Sequence, residues 1–217
     1  MSWKLLDLFC GAGGCSMGYH RAGFKVTGVD SKPQKNYPFE FHQADAIEFP
    51  LDGFDVIHAS PPCKAFTKTG WSYHFNYHNN HSDLLTPTRK RLIESGLPWV
   101  IENVPGSPMR ADLLLCGSQF GLGVKRHRWF ETNPSLFVLI QPCCHTKVKA
   151  SPHGHPRVAG EGATWGPAMD IDWMNTNELS QAIPPAYTEF IGKQLIEVLN
   201  KEAVERRLTK QGVSTVE

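Results

Sequence analysis

Nowhere in its 217 residues does the chain contain a run of about eighteen apolar residues, which excludes an ordinary membrane-crossing helix. It lacks internal repeats and low-complexity tracts, so solenoid and fibrous architectures are excluded as well. Neither sign of charge dominates: 22 Lys and Arg meet 21 Asp and Glu, and a formal net charge of +1 argues neither for nor against a polyanionic partner. The six cysteines, at positions 10, 15, 63, 116, 143 and 144, form no disulfide framework and are expected as free thiols in a reducing compartment. Met1-Ser2-Trp3-Lys4 leads straight into a predicted strand with no signal segment, so a soluble, cytoplasmic protein is expected. A hydrophobic content of 41% supports one sizeable core, too small for two full domains.

What is present concentrates in three strand-to-turn junctions. Leu5 to Phe9 is an apolar run that breaks into Cys10-Gly11-Ala12-Gly13-Gly14 and then becomes helix-like to His20. A strand, a glycine turn and a helix make a nucleotide-site pattern, because glycines let the backbone approach a ligand where a Cβ would clash. Asp30 follows the next strand, Phe24 to Val29, where a carboxylate can accept ribose hydroxyls. Such turns also form merely to pack a helix on a sheet, so the pattern alone decides nothing. The second junction is Phe54 to Ser60 running into Pro61-Pro62-Cys63, which holds one thiol at the tip of a rigid turn. A free cysteine is ordinarily a small core hydrophobe, and Cys63 alone would favour that reading. The third is Trp99-Val100-Ile101-Glu102-Asn103-Val104-Pro105, where a glutamate ends an apolar strand and needs a partner.

Together these segments resemble the cytosine-C5 methyltransferases that use S-adenosylmethionine, with the motifs in family order. The resemblance covers residues 3 to about 132 and about 165 to 200. It implies an α/β, doubly wound Rossmann-like methyltransferase sheet with a small irregular insert. It divides the chain into a catalytic and cofactor-binding core at 1–140, a short target-recognition-like insert at 141–178 and a segment completing the core at 179–217. It assigns Asp7, Phe9, Cys10, Gly11, Ala12, Gly13 and Gly14 to the cofactor loop, Asp30 to the ribose and Asp45 to the adenine, with Ser31 and Ala46 also in the cofactor site. Pro61, Gln181 and Ala182 complete the implied S-adenosylmethionine pocket. Cys63 is the implied nucleophile, Glu102 the partner of the cytosine ring, and Arg128, with Arg126, the holder of its O2 oxygen. Three positions depart from the family pattern: Lys64 follows Cys63, Val124 precedes the paired arginines, and Ser180-Gln181 precedes Ala182. A cation beside a thiol lowers its pKa and favours thiolate, so Lys64 is compatible with the implied role.

Attack on C6 of a cytosine needs access perpendicular to the ring, so the resemblance implies a flipped or single-stranded base and DNA as the partner. Residues 64–78 mix aromatics and cations in the place of the family's mobile catalytic loop, where aromatics could stack on bases. Lys64, Lys68, Arg89, Lys90, Arg91, Lys125, Arg126, Arg128, Lys147, Lys149 and Arg157 could form a phosphate-tracking face. Ordinary solvated surface is the simpler account of Arg89 to Arg91. RNA, a free pyrimidine nucleotide, or a catalytically silent nucleic-acid binder of the same fold stay open alternatives. No metal is expected. Asn79-Asn80 interrupts His74, His78 and His81, and the adjacent Cys143 and Cys144 near His145, His153 and His155 are poorly spaced for one tetrahedral ion. Further strands are expected at Leu113 to Cys116, His127 to Thr132 and Leu136 to Ile140, and helices from Thr88 to Ser95 and from Pro185 to Arg207.

Overall fold

The computed structural model describes residues 2–62, 83–136, 138–148, 150–152 and 160–210. Its strands are β1 (Lys4–Leu8), β2 (Lys25–Asp30), β3 (Glu40–Gln43), β4 (Val56–Ala59), β5 (Trp99–Asn103), β6 (Leu113–Leu115) and β7 (Arg128–Asn133). The helices are α1 (Gly14–Ala22), α2 (Leu85–Ser95), α3 (Trp165–Met169), α4 (Thr176–Gln181) and α5 (Pro185–Lys210). The seven strands form one sheet in the order β3-β2-β1-β4-β5-β7-β6. The first five run parallel, β7 runs antiparallel to β5, and β6 antiparallel to β7.

Alternation along the strands sorts the core into two layers. Leu5, Val56 and Val100 enter the cluster covered by Tyr19 of α1 and Tyr187, Ile191 and Leu195 of α5. Leu6, Ile57 and Ile101 face the other way, toward Leu85 and Leu92 of α2. Helices on both faces of a mostly parallel sheet make the α/β, Rossmann-like architecture expected from the sequence. Among the described residues no helix is long and apolar enough to cross a membrane.

The α1–α5 contact depends on glycine. A Cβ on Gly18 would stand 2.1 Å from Pro185 O and Thr188 Oγ1, and one on Gly14 would stand 2.4 Å from Ile183 O. Thr188 Oγ1 donates to Cys15 O at 2.8 Å across the same contact, tying the α5 side chain to the α1 main chain.

Several expected boundaries move. The described residues of the run Leu136 to Ile140 form no strand: Leu136, Val138 and Ile140 pack on the core from a loop. Prolines at 134 and 142 bracket this run, and the Leu136 N–H donates to Thr132 Oγ1 at 3.2 Å instead of to a neighbouring strand. α2 begins at Leu85 because Asp83 Oδ1 accepts from the N–H groups of Leu85 (2.8 Å) and Thr86 (3.2 Å). The insert, expected to be irregular throughout, contains α3 and the start of α4, whose capping box joins Asn175 and Glu178. Trp165, Met169 and Leu179 there build a third, smaller cluster with Val124 and Ala150. The expected boundary at 178 and 179 therefore falls inside α4, and α5 continues past Arg207 to Lys210.

Replacing Gly18 by Ala should destabilise the fold by roughly 2 kcal/mol, because overpacking here meets a backbone carbonyl that cannot rotate away. Urea denaturation reads this as a lower midpoint at unchanged slope; an unchanged midpoint would contradict the α1–α5 contact.

Candidate active site

Strand order reverses between β1 and β4, and the carboxyl ends of β1, β4 and β5 meet at this switch, where open α/β sheets build sites. From β1 the chain enters the glycine loop through three left-handed residues, Phe9 (φ 58), Gly11 (φ 51) and Gly13 (φ 86). Asp30, ending β2, accepts the Gly11 N–H on Oδ2 at 3.1 Å and the Lys32 N–H on Oδ1 at 2.9 Å, so its carboxylate is anchored beside the loop. No described atom lies within 4 Å of where a Gly11 Cβ would stand, which leaves the space before the loop open. Ser31 and Asp45 are exposed just beyond β2 and β3, and Asp45 Oδ1 accepts the Ile47 N–H at 2.8 Å. Ala46 is buried. From the far end of the chain, Trp173 Nε1 donates to Ala12 O at 2.9 Å, with Ala182 buried and Gln181 exposed nearby in sequence. Cys10 and Cys15 are buried thiols, pushed up first by that burial, and so stay protonated.

Asp7 sits beneath the loop. It is fully buried, its Oδ2 accepts from Ser16 Oγ in α1, and its Oδ1 has no hydrogen-bond partner. Burial pushes its carboxyl up to about 7.

A row of polar side chains crosses the sheet beside it. Tyr19 OH lies 2.9 Å from His58 Nδ1, and His58 Nε2 lies 2.9 Å from Ser60 Oγ. Ser60 in turn hydrogen-bonds Glu102, whose Oε1 meets Arg128 Nε at 2.9 Å. Burial pushes His58 down to about 3, so it stays neutral between its two hydroxyl partners. Burial also raises the Glu102 carboxyl, against the opposing pull of Arg128, Ser60 and Arg126. Asn103 Nδ2 donates to Pro61 O at 3.0 Å, clamping the turn that leaves β4 to the end of β5. Cys63 lies outside the described residues, as do the whole of 64–78, His81, Lys149, His153, His155 and Arg157.

The geometry thus brings Glu102 and Arg128 together beside the Pro61 turn. Arg126, two residues away, is engaged elsewhere: Nη1 donates to Pro152 O (2.6 Å) and Nη2 to Ser180 O (2.8 Å), bracing the insert against α4. Two cations from the proposed phosphate face are also structural. Arg89 pairs with the buried Glu131 at 2.7 Å, and Arg91 donates to the carbonyls of Ala46 and Phe49. Sequence reasoning missed His58 and Ser60. Their signal was a histidine within the apolar Val56-Ile57-His58-Ala59, since a polar ring buried in a strand requires partners.

Residues 3–107 match the family described as C-5 cytosine-specific DNA methylase. The Type II methyltransferase M.HgiGI of Herpetosiphon aurantiacus is 33% identical over 81 residues, a match covering 31% of this chain and 64% of that protein. Among solved structures, the Dnmt2 methyltransferase of S. pombe is 18% identical over 60% of this chain and 50% of its own, with a TM-score of 0.44. The Entamoeba histolytica methyltransferase EhMeth is 16% identical over 61% of this chain and 52% of its own, also with a TM-score of 0.44. The chain spans less than two thirds of each of these relatives.

Asp7 sets a pH signature. With a folded value near 7 against about 4 when unfolded, it contributes stability that is full below pH 4 and lost as pH rises through 7. Asp7→Asn keeps an acceptor for Ser16 but cannot titrate, so stability measured by denaturation from pH 4 to 8 should fall less steeply than in the parent. Parallel profiles would show that Asp7 does not titrate in this window.

Proposed function

We propose that this chain, whose residues 3–107 match the family of C-5 cytosine-specific DNA methylases, transfers a methyl group from S-adenosylmethionine to C5 of cytosine in DNA, through a covalent Cys63 adduct on a flipped base. The observation that carries this reading is the buried Glu102–Arg128 pair, fixed beside the turn that leads from β4 to Cys63. The donor's pocket fits the residues present: open space before Gly11, the Asp30 carboxylate anchored at the end of β2, and an exposed carboxylate at Asp45. When bound there, S-adenosylmethionine supplies an electrophilic methyl group.

The protein's own task is to make a poor carbon nucleophile reactive. The Cys63 thiolate adds to C6, and the C5–C6 electron pair shifts to C5 as the S–C6 bond forms. Glu102 suits the role of proton donor to N3 because burial raises its carboxyl above the ordinary carboxylate range. Arg128 opposes that shift and holds the carboxyl in position, while its charge stabilises the developing negative charge on O2. Arg126 supports the site by holding the insert and α4, rather than by contact with the ring. C5 takes the methyl group, leaving the donor as its thioether; water then takes the C5 proton, whose bond pair re-forms C5=C6 as the C6–S bond breaks and returns the thiolate, and N3 gives its proton back to Glu102. The insert of about forty residues offers little surface for base edges, so recognition of a short sequence is expected.

The deciding experiment supplies tritium-labelled S-adenosylmethionine with duplex DNA, single-stranded DNA, RNA or dCMP. Label at C5 of cytosine in DNA is expected. Label confined to RNA or dCMP would move the reading to those substrates, and none anywhere, with the cofactor bound, would point to a silent binder. Cys63→Ala should lower turnover by roughly a thousandfold or more, and Glu102→Gln by about 100-fold or more, both with cofactor affinity near that of the parent. Full activity in Cys63→Ala would remove the covalent step.

A further inference from the structure

Four potential ligands from three separate stretches converge on one point at the edge of the sheet. Cys116 follows β6, His127 precedes β7, and Cys143 and His145 lie in the loop beyond β7. Their ligating atoms all fall within 4.8 Å of one another. Cys116 Sγ is 3.4 Å from His145 Nε2, and Cys143 Sγ is 3.4 Å from His127 Nε2. A tetrahedral zinc ion, about 2.3 Å from sulfur and about 2.0 Å from nitrogen, sets neighbouring ligand atoms roughly 3.3 to 3.8 Å apart. The two imidazoles meet edge to face, with centroids 5.0 Å apart and planes at 78°, so both present a ring nitrogen to the shared centre rather than stacking. Both cysteines are free thiols.

We propose that Cys116, His127, Cys143 and His145 bind one zinc ion. Two isolated cysteine–histidine hydrogen bonds would not require all four groups to meet, and sulfur is a weak hydrogen-bond partner. Two thiolates and two imidazoles suit zinc and disfavour magnesium or calcium, and four protein ligands make the site closed and structural rather than catalytic. The surroundings fit a bound thiolate: Ser118 Oγ donates to Cys116 Sγ at 3.7 Å. The same turn aligns the incoming loop, with Gln119 Nε2 donating to Gln141 O at 2.9 Å and the Cys144 N–H to Ser118 Oγ at 3.2 Å. Cys144 itself is exposed and faces Thr146, outside the cluster. The sequence expectation of no metal weighed Cys143, Cys144 and His145 together with His153 and His155, all from one stretch of chain. The fold replaces Cys144 with two ligands from the flanks of β6 and β7.

The ion would staple the insert to the peptide that carries Arg128. His127 O accepts from Arg128 Nη1 at 2.7 Å, so fixing the His127 ring fixes the residue beside the Glu102 pair. The site goes beyond methyl transfer, and its test reads metal rather than activity.

The full-length protein, purified under reducing conditions and reconstituted with zinc, should hold one zinc per chain by elemental analysis. Reconstitution with cobalt should give the intense visible bands of a tetrahedral ion with thiolate charge transfer. Cys143→Ser and His145→Ala should weaken zinc binding by roughly tenfold or more, while Cys144→Ser should bind as the parent does. Less than about a tenth of an equivalent of zinc in the reconstituted parent would overturn the proposal. So would a faint, octahedral cobalt spectrum, or equal losses in the Cys143 and Cys144 variants. The cobalt spectrum of the parent keeps the test decisive where a variant fails to fold.

Discussion

Glu102 closes β5 as an acid only 6% exposed, and a carboxyl group so placed must meet a cation or keep its proton. Much of the architecture around it serves that requirement. The antiparallel sense of β7 is what brings Arg128 there. A parallel strand would begin at the opposite edge of the sheet, whereas β7 begins at the carboxyl edge, with Trp129 opposite Asn103. The cation stands at the first residue of that strand, and the residues before it come from a loop held by Arg126, Tyr187 OH and the insert. On the other side, Ser60, His58 and Tyr19 extend the pair into a buried chain that ends in α1. Glycine loop, β4 turn and Arg128 are thereby tied to one acidic side chain.

Local signals were legible in the sequence because local physics dictates them. Apolar runs ending in glycines or in Pro61-Pro62 read as strands entering turns, and they are β1 and β4. Asp30, Glu102 and Arg128 stood out because each sits where a strand begins or ends. What could not be read depends on partners distant in sequence. Arg126 and Arg128 look equivalent as text, yet one meets Glu102 and the other the carbonyls of Pro152 and Ser180. Arg89 looked like a solvated surface cation and instead neutralises the buried Glu131, 42 residues away. Leu136 to Ile140 has the composition of a strand, but no ladder partner is offered to it.

The insert shows how a short segment is kept in place without a domain of its own. Its described opening residues carry few apolar side chains, and order there comes from backbone pairing of Ala150 with Gly123 and Lys125, and from the polar cluster around Cys143. Farther on, Trp165, Met169 and Leu179 give it a small apolar anchor against Val124.

The glycine contacts between α1 and α5 also bear on how the protein is made. α1 is synthesised well before the segment it packs on, for Gly14 and Gly18 face main chain from Ile183 to Glu189. Until that stretch has been synthesised, α1 has nothing to cover the Tyr19 face of the sheet. Nor is the glycine loop complete before Trp173, which donates to Ala12 O, has been made. Contacts this distant in sequence make folding late and slow, and until α5 has been made a growing chain leaves this apolar face open to chaperones.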